Sequence, residues 1–165
     1  MSKNIITDNV IFKNIIAEDS LSNNWCDLFS VDSFDYVVGN PPYLNTHEMS
    51  RDKINFLKEN FVTTKQGSFN LFYAFIEQAL NNIRETGLVA YIIPNNYLTI
   101  KAAKELREFL QENKYINKII DFKDNMIFKP VRTYNSICFF SKSHNDKFKY
   151  SIVNKNDDIE SCIKN

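Results

Sequence analysis

The sequence predicts an α/β fold with a mixed, mostly parallel sheet and helices on both faces. Short apolar runs rich in β-branched residues alternate with segments whose apolar residues recur at helical spacing. The run at residues 88–93 is almost wholly apolar and lies between Gly87 and Pro94, which is typical of a strand buried on both faces. With 165 residues, 44% of them hydrophobic, the chain has the size and composition of one globular domain.

The individual elements follow from the same patterns. Helices are predicted over residues 51–59, 69–85 and 101–111, with Ser50 as the N-cap of the first. Strands are predicted over residues 10–17, 35–39, 88–93, 115–121 and 135–140. From residue 143 the sequence turns polar. Residues 1–142 are therefore predicted to form part of one domain, and residues 143–165 a tail or linker.

Composition argues against several classes of protein. Cys26, Cys138 and Cys162 are odd in number and form no CxxC pair, which disfavours a disulfide framework or a zinc ribbon and favours a reducing cytoplasm. His47 and His144 are isolated in polar sequence, so no metal site is expected. No apolar run reaches the ~18–20 residues of a membrane span and no signal peptide is visible, so no membrane partner is expected.

Charge is balanced in total but uneven along the chain. The formal net charge is zero, yet acidic residues outnumber basic ones up to residue 100, and basic residues outnumber acidic ones over residues 101–155. This distribution fits either solvated helix faces or a surface that faces DNA, and the pattern alone does not separate the two.

The segment Asn40-Pro41-Pro42-Tyr43 directly follows the predicted strand at residues 35–39. In an open α/β sheet, ligands bind beyond the carboxyl ends of the strands. The prolines stiffen the backbone and have no N–H, so the Pro41 carbonyl is an acceptor without a competing donor beside it. Asn40 adds a side-chain acceptor and Tyr43 a flat aromatic face. Together they form a receptor for a planar group that carries an NH₂.

The exocyclic amine of adenine is such a group, and its conjugation with the ring makes it a poor nucleophile. Acceptors for both of its hydrogens would draw the nitrogen toward tetrahedral geometry and free its lone pair. Catalysis would then depend on positioning and preorganised electrostatics, without a general base. The structural alternative is a proline-rich turn that only ends a strand.

Gly39 and the tetrapeptide after it resemble motif IV of the adenine-N6 DNA methyltransferases that use S-adenosylmethionine. The resemblance covers roughly residues 10–142 and includes motif III at residues 15–21, the helix at residues 68–75 and motif VIII around Phe128. It implies a partial Rossmann-like methyltransferase fold. It also implies a parent enzyme of a restriction-modification or phage-defence system, of the type II or IIG kind whose cofactor motifs come first.

The resemblance assigns a role to each matching residue that would bind the base receiving the methyl group. Tyr43 and Phe128 would stack on the two faces of an adenine flipped out of DNA, and Asn40 and Pro41 would hold its amine. Flipping is required because N6 inside a duplex cannot reach a buried methyl donor. The resemblance thus implies DNA as the partner of the parent enzyme.

On the cofactor side the resemblance is incomplete. Pro42 would lie near S-adenosylmethionine, and Asp19 would hydrogen-bond its adenine amino group. The family's Gly-rich turn, which cradles the methionine part, has no counterpart, because Gly39, Gly67 and Gly87 lie elsewhere. An incomplete cofactor site and an inactive isolated chain are therefore expected.

Two further expectations follow from the family's organisation. A DNA-recognition domain would lie beyond residue 150, outside this sequence. Strands that the family places between the motif III and motif IV strands have no counterpart either. A sheet edge would therefore be exposed, which favours a dimer or strand exchange.

Two other functions remain open on the sequence. Protein glutamine methyltransferases also present this tetrapeptide to a planar amide, although the Glu-Pro pair that typically follows it in them is not found between Tyr43 and Gly67. The chain could instead be a non-catalytic structural remnant of a restriction protein. An intact tetrapeptide argues against that second alternative.

Overall fold

The computed structural model describes residues 14–123, 134–154 and 157. Over these residues the helices are α1 (Trp25–Phe29), α2 (Arg51–Asn60), α3 (Leu71–Asn82) and α4 (Lys104–Glu112). The strands are β1 (Phe34–Gly39), β2 (Ile83–Pro94), β3 (Ile116–Asp121), β4 (Asn135–Ser141) and β5 (Lys149–Ile152). Across these ranges, no helix combines the length and the apolar character that spanning a bilayer requires.

The five strands form one sheet in the order β1-β2-β4-β3-β5. β1 pairs in parallel with β2, and β3 pairs in parallel with β5. β4 is antiparallel to both β2 and β3, so the other four strands all run in one direction. This arrangement confirms the predicted mixed, mostly parallel α/β sheet. The carboxyl ends of β1, β2, β3 and β5 consequently meet at one edge, where an open α/β sheet binds its ligands.

Buried side chains of three helices form one core cluster with one face of the sheet. α2 contributes Leu57, α3 contributes Phe72 and Ile76, and α4 contributes Leu106 and Leu110. The sequence predicted helices on both faces, but on the opposite face the described residues form only a small cluster with no helical member. That cluster contains Ile120, Phe122 and Val153.

Strand β1 shows why the two faces differ. Its side chains alternate, so Val37 packs against the main core while Tyr36 and Val38 point to the other face. Tyr36 and Val38 are 70% and 78% exposed. Their apolar character suggests a strand covered on both sides, whereas the described residues cover only one side of β1.

The boundary between α3 and β2 lies earlier than the sequence predicted. Asn70 caps α3 by accepting a hydrogen bond from the Phe72 amide at 3.4 Å, but the helix ends at Asn82 and not at residue 85. Ile83 already faces Phe34 in the β1–β2 pairing. Pairing with β1 therefore outweighs the helical periodicity of these residues.

The remaining elements confirm most of the predicted positions. Ser50 caps α2 as predicted, by accepting a hydrogen bond from the Lys53 amide at 3.3 Å. Residues 101–103 are a 3₁₀ turn that leads into α4. Of the strand predicted at residues 10–17, residues 14–17 are described and are not in a strand. The rest of that strand lies outside the described residues.

Strand β5 lies within the stretch that the sequence predicted to be a linker. Its residues pair in parallel with β3, and Tyr150 donates a hydrogen bond to Asp121 at 2.5 Å. For residues 149–152 the linker prediction is therefore replaced by an edge strand. The sequence pattern for a strand is weak here, because β5 has only four residues and most of them are polar or exposed.

Candidate active site

The tetrapeptide Asn40–Tyr43 leaves the sheet at the carboxyl end of β1. Before it, Gly39 pairs with Tyr91 of β2, and a Cβ on Gly39 would lie only 3.3 Å from the Tyr91 ring. After it, the carbonyl of Leu44 accepts a hydrogen bond from the Leu71 amide at 2.8 Å. The tetrapeptide is therefore fixed at one end by the sheet and at the other by the start of α3.

Tyr43 is the best-anchored member of this segment. Its hydroxyl lies 2.6 Å from Oδ1 of Asn40 and 2.9 Å from the carbonyl oxygen of Ile92. Its ring meets the Phe72 ring edge-on, with centroids 6.1 Å apart. Burial raises the pKa of Tyr43 to about 12. The phenol is therefore neutral near pH 7 and serves as a hydrogen-bond donor.

The acceptor oxygen of the Asn40 side chain lies beside the Tyr43 hydroxyl. Asn40 is exposed, Pro41 is buried and Pro42 is exposed. The Asn40 side chain is held by the Tyr43 hydroxyl, so its oxygen is already oriented in a site where a donor can approach from solvent. The structure thus brings Asn40, Pro41 and Tyr43 together on one short, anchored turn. Such an arrangement can bind a flat group whose amine donates hydrogen bonds.

An open cavity of about 570 Å³ adjoins the tetrapeptide. Pro41 and Pro42 line it together with the rings of Trp25, Phe75 and Tyr91. Nothing in the sequence spacing of Trp25 and Phe75 marks either residue as part of a cavity wall. Apolar walls of this kind suit a nucleoside, and the neighbouring Glu18 and Ser20 supply polar groups. These residues fit the adenosine part of S-adenosylmethionine.

Asp19 lies next to this cavity but points elsewhere. Its carboxylate pairs with the Lys53 ammonium of α2 at 2.6 Å and accepts a hydrogen bond from the Leu21 amide at 3.0 Å. Partial burial favours the neutral acid, but Lys53 and Leu21 outweigh it and hold the pKa of Asp19 below its ordinary value. The Asp19 side chain is 52% exposed and each carboxylate oxygen has one of these donors, so the carboxylate keeps room for a further donor.

Phe128, the predicted second stacking residue, lies outside the described residues. The two residues that flank the segment 124–133 are described, and both take part in a polar cluster that the sequence did not reveal. Its centre is Asp121, a buried carboxylate at the end of β3. Nothing in the sequence distinguishes Asp121 from an ordinary polar residue that ends a strand. Within the described ranges, no group of His, Cys, Asp and Glu could hold a metal ion.

Known proteins are similar to this chain in sequence and in fold. The family model of the Eco57I restriction-modification methylase matches residues 2–128. The Escherichia coli type II restriction enzyme and methyltransferase RM.Eco57I is 31% identical over 152 residues, which are 86% of this chain and 15% of that protein. The adenine-specific methyltransferase BrxX of E. coli O9:H4 is 31% identical over 81 residues, 49% of this chain and 6% of its own length.

A solved structure confirms the methyltransferase fold. The methyltransferase subunit of a Streptococcus thermophilus type I restriction-modification system aligns with a TM-score of 0.56 and 21% identity, over 76% of this chain and 27% of that one. The chain spans well under a third of the length of each of these relatives. Since the family model covers most of the chain, the protein belongs to the Eco57I restriction-modification methylase family.

Proposed function

We propose that this chain forms the base-binding part of a DNA methyltransferase that transfers methyl from S-adenosylmethionine to adenine N6. The observation that carries the proposal is the anchored turn Asn40–Tyr43, which places a side-chain acceptor and a ring side by side at the ligand-binding edge of the sheet. Membership of a restriction-modification family supports DNA as the substrate. The adenine specificity of the relative BrxX supports adenine as the base.

The chain's own residues act by binding and orienting the amine. Oδ1 of Asn40 and the Pro41 carbonyl accept its two hydrogens, and the Tyr43 ring lies against the base. The Tyr43 hydroxyl now occupies Oδ1 of Asn40, and the incoming amine takes its place. Because Tyr43 has a pKa of about 12, it does not act as a base near neutral pH.

Phe128 completes this proposal as the second stacking partner, and the flipped base would lie between Phe128 and Tyr43. Pro41 and Pro42 line the cavity that would hold the cofactor, with Asp19 next to it. When bound, S-adenosylmethionine supplies an electrophilic methyl group to the amine nitrogen. The electrons of the broken S–CH₃ bond would stay on the cofactor's sulfur as a thioether, and the methylated nitrogen would lose one proton to water at the exposed side of the site beside Asn40.

Methyl transfer by the whole enzyme that contains this chain tests the proposal. Duplex DNA and proteins are incubated with cofactor that carries a labelled methyl group, and the products are digested and separated. We expect label in N6-methyldeoxyadenosine, and we expect Asn40→Ala to lower kcat by about 100-fold because one of two preorganised acceptors is lost. Asn60→Ala, at the far end of α2, is the matched control. Label in protein glutamine or in cytosine would overturn the proposal.

We also propose that these 165 residues alone bind S-adenosylmethionine weakly and transfer no methyl group. The cavity beside the tetrapeptide is open to solvent, and the Gly-rich turn that the resemblance leads one to expect around the methionine part of the cofactor has no counterpart in the sequence. Titration calorimetry of the isolated chain tests this: we expect no heat of binding at micromolar concentrations. A micromolar dissociation constant would show that the cofactor site is complete.

A further inference from the structure

Another open cavity, of about 490 Å³, lies at the edge of the sheet that carries the tetrapeptide. One wall is the loop at residues 66–68, which leads toward α3, and the other is formed by residues 101–105 at the start of α4. The second wall follows the carboxyl end of β2, as the tetrapeptide follows the carboxyl end of β1. The cavity shares no lining residue with the one proposed for the cofactor, so it is a separate candidate site.

Two contacts join this cavity to the tetrapeptide. Oγ1 of Thr46 lies 3.1 Å from Oγ of Ser68, and Nδ2 of Asn70 donates a hydrogen bond to Oδ1 of Asn45 at 3.1 Å. Thr46 follows Tyr43 by three residues, which span at most about 11 Å of extended chain. The backbone of one DNA strand rises by about 3.4 Å per nucleotide. Ser68 and Tyr43 are therefore separated by a distance that a few consecutive nucleotides bridge.

The cavity carries more positive than negative charge. Lys101 and Lys104 line it together with one carboxylate, Glu105. Lys101 forms no ion pair with any described residue. Lys104 lies 3.4 Å from Glu108, but the two side chains are 63% and 47% exposed, so this pair is weak and leaves the ammonium able to bind another anion. Both lysines belong to the basic stretch at residues 101–155, for which the sequence left a DNA-facing surface open.

The opposite wall supplies neutral donors. Gln66, Gly67 and Ser68 are exposed, and their backbone amides donate no hydrogen bond to any described residue. Gly67 has a φ of 63°, and a Cβ there would meet no atom within 4 Å, so a ligand has free access to the backbone at this residue. The side chains of Gln66 and Ser68 add an amide and a hydroxyl. Ammonium groups, backbone amides and a hydroxyl are the groups with which proteins bind DNA phosphates.

A phosphate also distinguishes between the two ligands of the proposed reaction. S-adenosylmethionine has no phosphate, whereas DNA has one on every nucleotide. An enzyme that rotates a nucleotide out of the duplex about its backbone needs contacts that fix the neighbouring phosphates. We infer that Lys101, Lys104 and the loop at residues 66–68 bind a DNA backbone phosphate next to the flipped nucleotide. This inference rests on the proposed function.

Variants of the whole enzyme that remove one charge each test this site. Lys101→Gln and Lys104→Gln each remove an exposed ammonium. Lys147→Gln is the matched control, because Lys147 is also exposed but precedes β5 and so lies at the opposite edge of the sheet. The DNA is a duplex that contains the methylated adenine, which is located beforehand by mapping labelled methyl groups in unmethylated plasmid DNA.

We expect Lys101→Gln and Lys104→Gln each to raise Kd for this duplex by about 3- to 10-fold at low salt. Each should also reduce the slope of log K against log salt concentration by about 0.9, because one fewer phosphate is neutralised. Lys147→Gln should match wild type in both measurements, and thermal unfolding should show equal midpoints for all four proteins. An unchanged Kd and salt slope in both cavity variants, or an equal change in Lys147→Gln, would overturn the inference.

Uncharged phosphate analogues identify the contact. A methylphosphonate replaces, one at a time, each of the three phosphates on either side of the target adenine. At the position that the lysines contact, this replacement should weaken binding by wild type and by Lys147→Gln but add no further loss in Lys101→Gln. Additive losses at every position, or no loss at any, would refute a direct contact.

Inorganic phosphate, titrated at constant ionic strength, distinguishes DNA from a free anion. Binding of phosphate that is lost in Lys101→Gln, with an unchanged Kd for DNA, would assign the cavity to a free phosphate and overturn the inference. An enzyme that methylates adenine while both cavity variants match the control would refute the inference alone. An enzyme that methylates no adenine would refute the proposed function, and the salt dependence of its binding to plasmid DNA would still show whether the lysines contact the backbone.

Discussion

At the scale of single residues, the Tyr43 hydroxyl has two acceptors and only one proton. Asn40 Oδ1 and the Ile92 carbonyl lie 2.6 and 2.9 Å from it, so the proton bonds to one of them at a time. The bond to Ile92 holds the ring in place. The bond to Asn40 occupies the acceptor that the proposed substrate needs. The hydroxyl therefore orients both the Asn40 side chain and the Tyr43 ring, and the proposed substrate would replace only its bond to Asn40.

This argument predicts different effects for two substitutions of Tyr43. Tyr43→Phe keeps the ring and frees Asn40, so kcat should stay within about threefold of wild type. Tyr43→Ala removes the stacking surface, which is worth about 1–3 kcal/mol per base, and should raise KM for DNA by about 5- to 150-fold. Steady-state kinetics of the whole enzyme measures both effects.

The pH dependence of the same two enzymes checks the role of the hydroxyl. With the pKa of Tyr43 at about 12, the phenol stays neutral throughout the usual assay range. Wild type and Tyr43→Phe should therefore give superimposable profiles of kcat against pH between about pH 6 and 9. A limb in the wild-type profile that Tyr43→Phe abolishes would contradict a purely hydrogen-bonding role.

Asp121 makes the free energy of unfolding depend on pH, and the hydrogen-bond donors around its carboxylate determine the direction of that dependence. Burial alone would raise the pKa of this carboxyl, but the donors Tyr150, Asn95 and Lys123 outweigh burial and hold the pKa below 3.8. A carboxyl with a depressed folded-state pKa stabilises the fold above pH 3.8, and that contribution disappears as pH falls through the lowered value.

We therefore expect Asp121→Asn to lower the free energy of unfolding by about 2 kcal/mol at pH 7. The difference from wild type should shrink as the pH falls below 3.8. Urea unfolding of both proteins at a series of pH values measures it. Asp146→Asn, whose carboxyl is exposed, is the control and should change stability little at any pH. A difference that stays constant down to about pH 2 would contradict the assignment.

At the scale of secondary structure, the lack of a side chain at Gly87 allows β1 and β2 to pair closely. A Cβ at this position would lie 2.9 Å from the Ile83 Cβ, 3.0 Å from the Arg84 carbonyl and 3.1 Å from the Phe34 carbonyl. The last two are backbone atoms and cannot rotate away. The pairing register also shifts between Phe34 and Tyr36, opposite this region. The glycine thus permits a close approach of the two strands.

Gly87→Ala should consequently destabilise the fold by about 1–3 kcal/mol, the usual range for overpacking a closely packed site. Ser33→Ala, an exposed change just before β1, is the control and should stay within about 0.5 kcal/mol of wild type. Thermal and urea unfolding of both variants supply the measurement. Equal stability of Gly87→Ala and wild type would mean that β1 and β2 can move apart at this position without lowering the free energy of unfolding.

These elements also show which parts of the fold local sequence can predict. The position of β1, the apolar run of β2 and the cap of α2 depend on neighbours along the chain, and each was predicted close to its place. The start of β2 at Ile83 depends on Phe34, and β5 depends on contacts between Tyr150 and Asp121. Partners so far apart in sequence leave no local signal.

The candidate site likewise contains residues that are neighbours in sequence and contacts between residues that lie far apart in sequence. Asn40, Pro41 and Tyr43 are consecutive or nearly so, and their place together on one turn could be predicted from the tetrapeptide alone. The pairing of Asp19 with Lys53 and the contacts between Asn95 and Asp121 cross 34 and 26 positions of sequence. Residue type alone cannot indicate such pairs, since each of these residues has many other polar partners available.

At the scale of the whole molecule, β1 is the edge strand of the sheet in the described residues. An unpaired strand edge is a template for another strand. Beside it, Tyr36 and Val38 present two large apolar side chains that are 70% and 78% exposed. The opposite edge strand, β5, is shorter and has lysine at its start. Self-association of the isolated chain is therefore expected to use β1 rather than β5.

Replacing both Tyr36 and Val38 with lysine should suppress that association, because like charges would meet at the paired edge and the apolar surface would be lost. Sedimentation of the isolated chain across a range of concentrations should show dimers or larger species for wild type and monomers for the variant. Val62→Lys is the control, since Val62 is 56% exposed but lies between α2 and α3, outside the sheet. Equal self-association of wild type and the Tyr36/Val38 variant would place the contact elsewhere, and a monomeric wild type would show that the exposed edge does not pair.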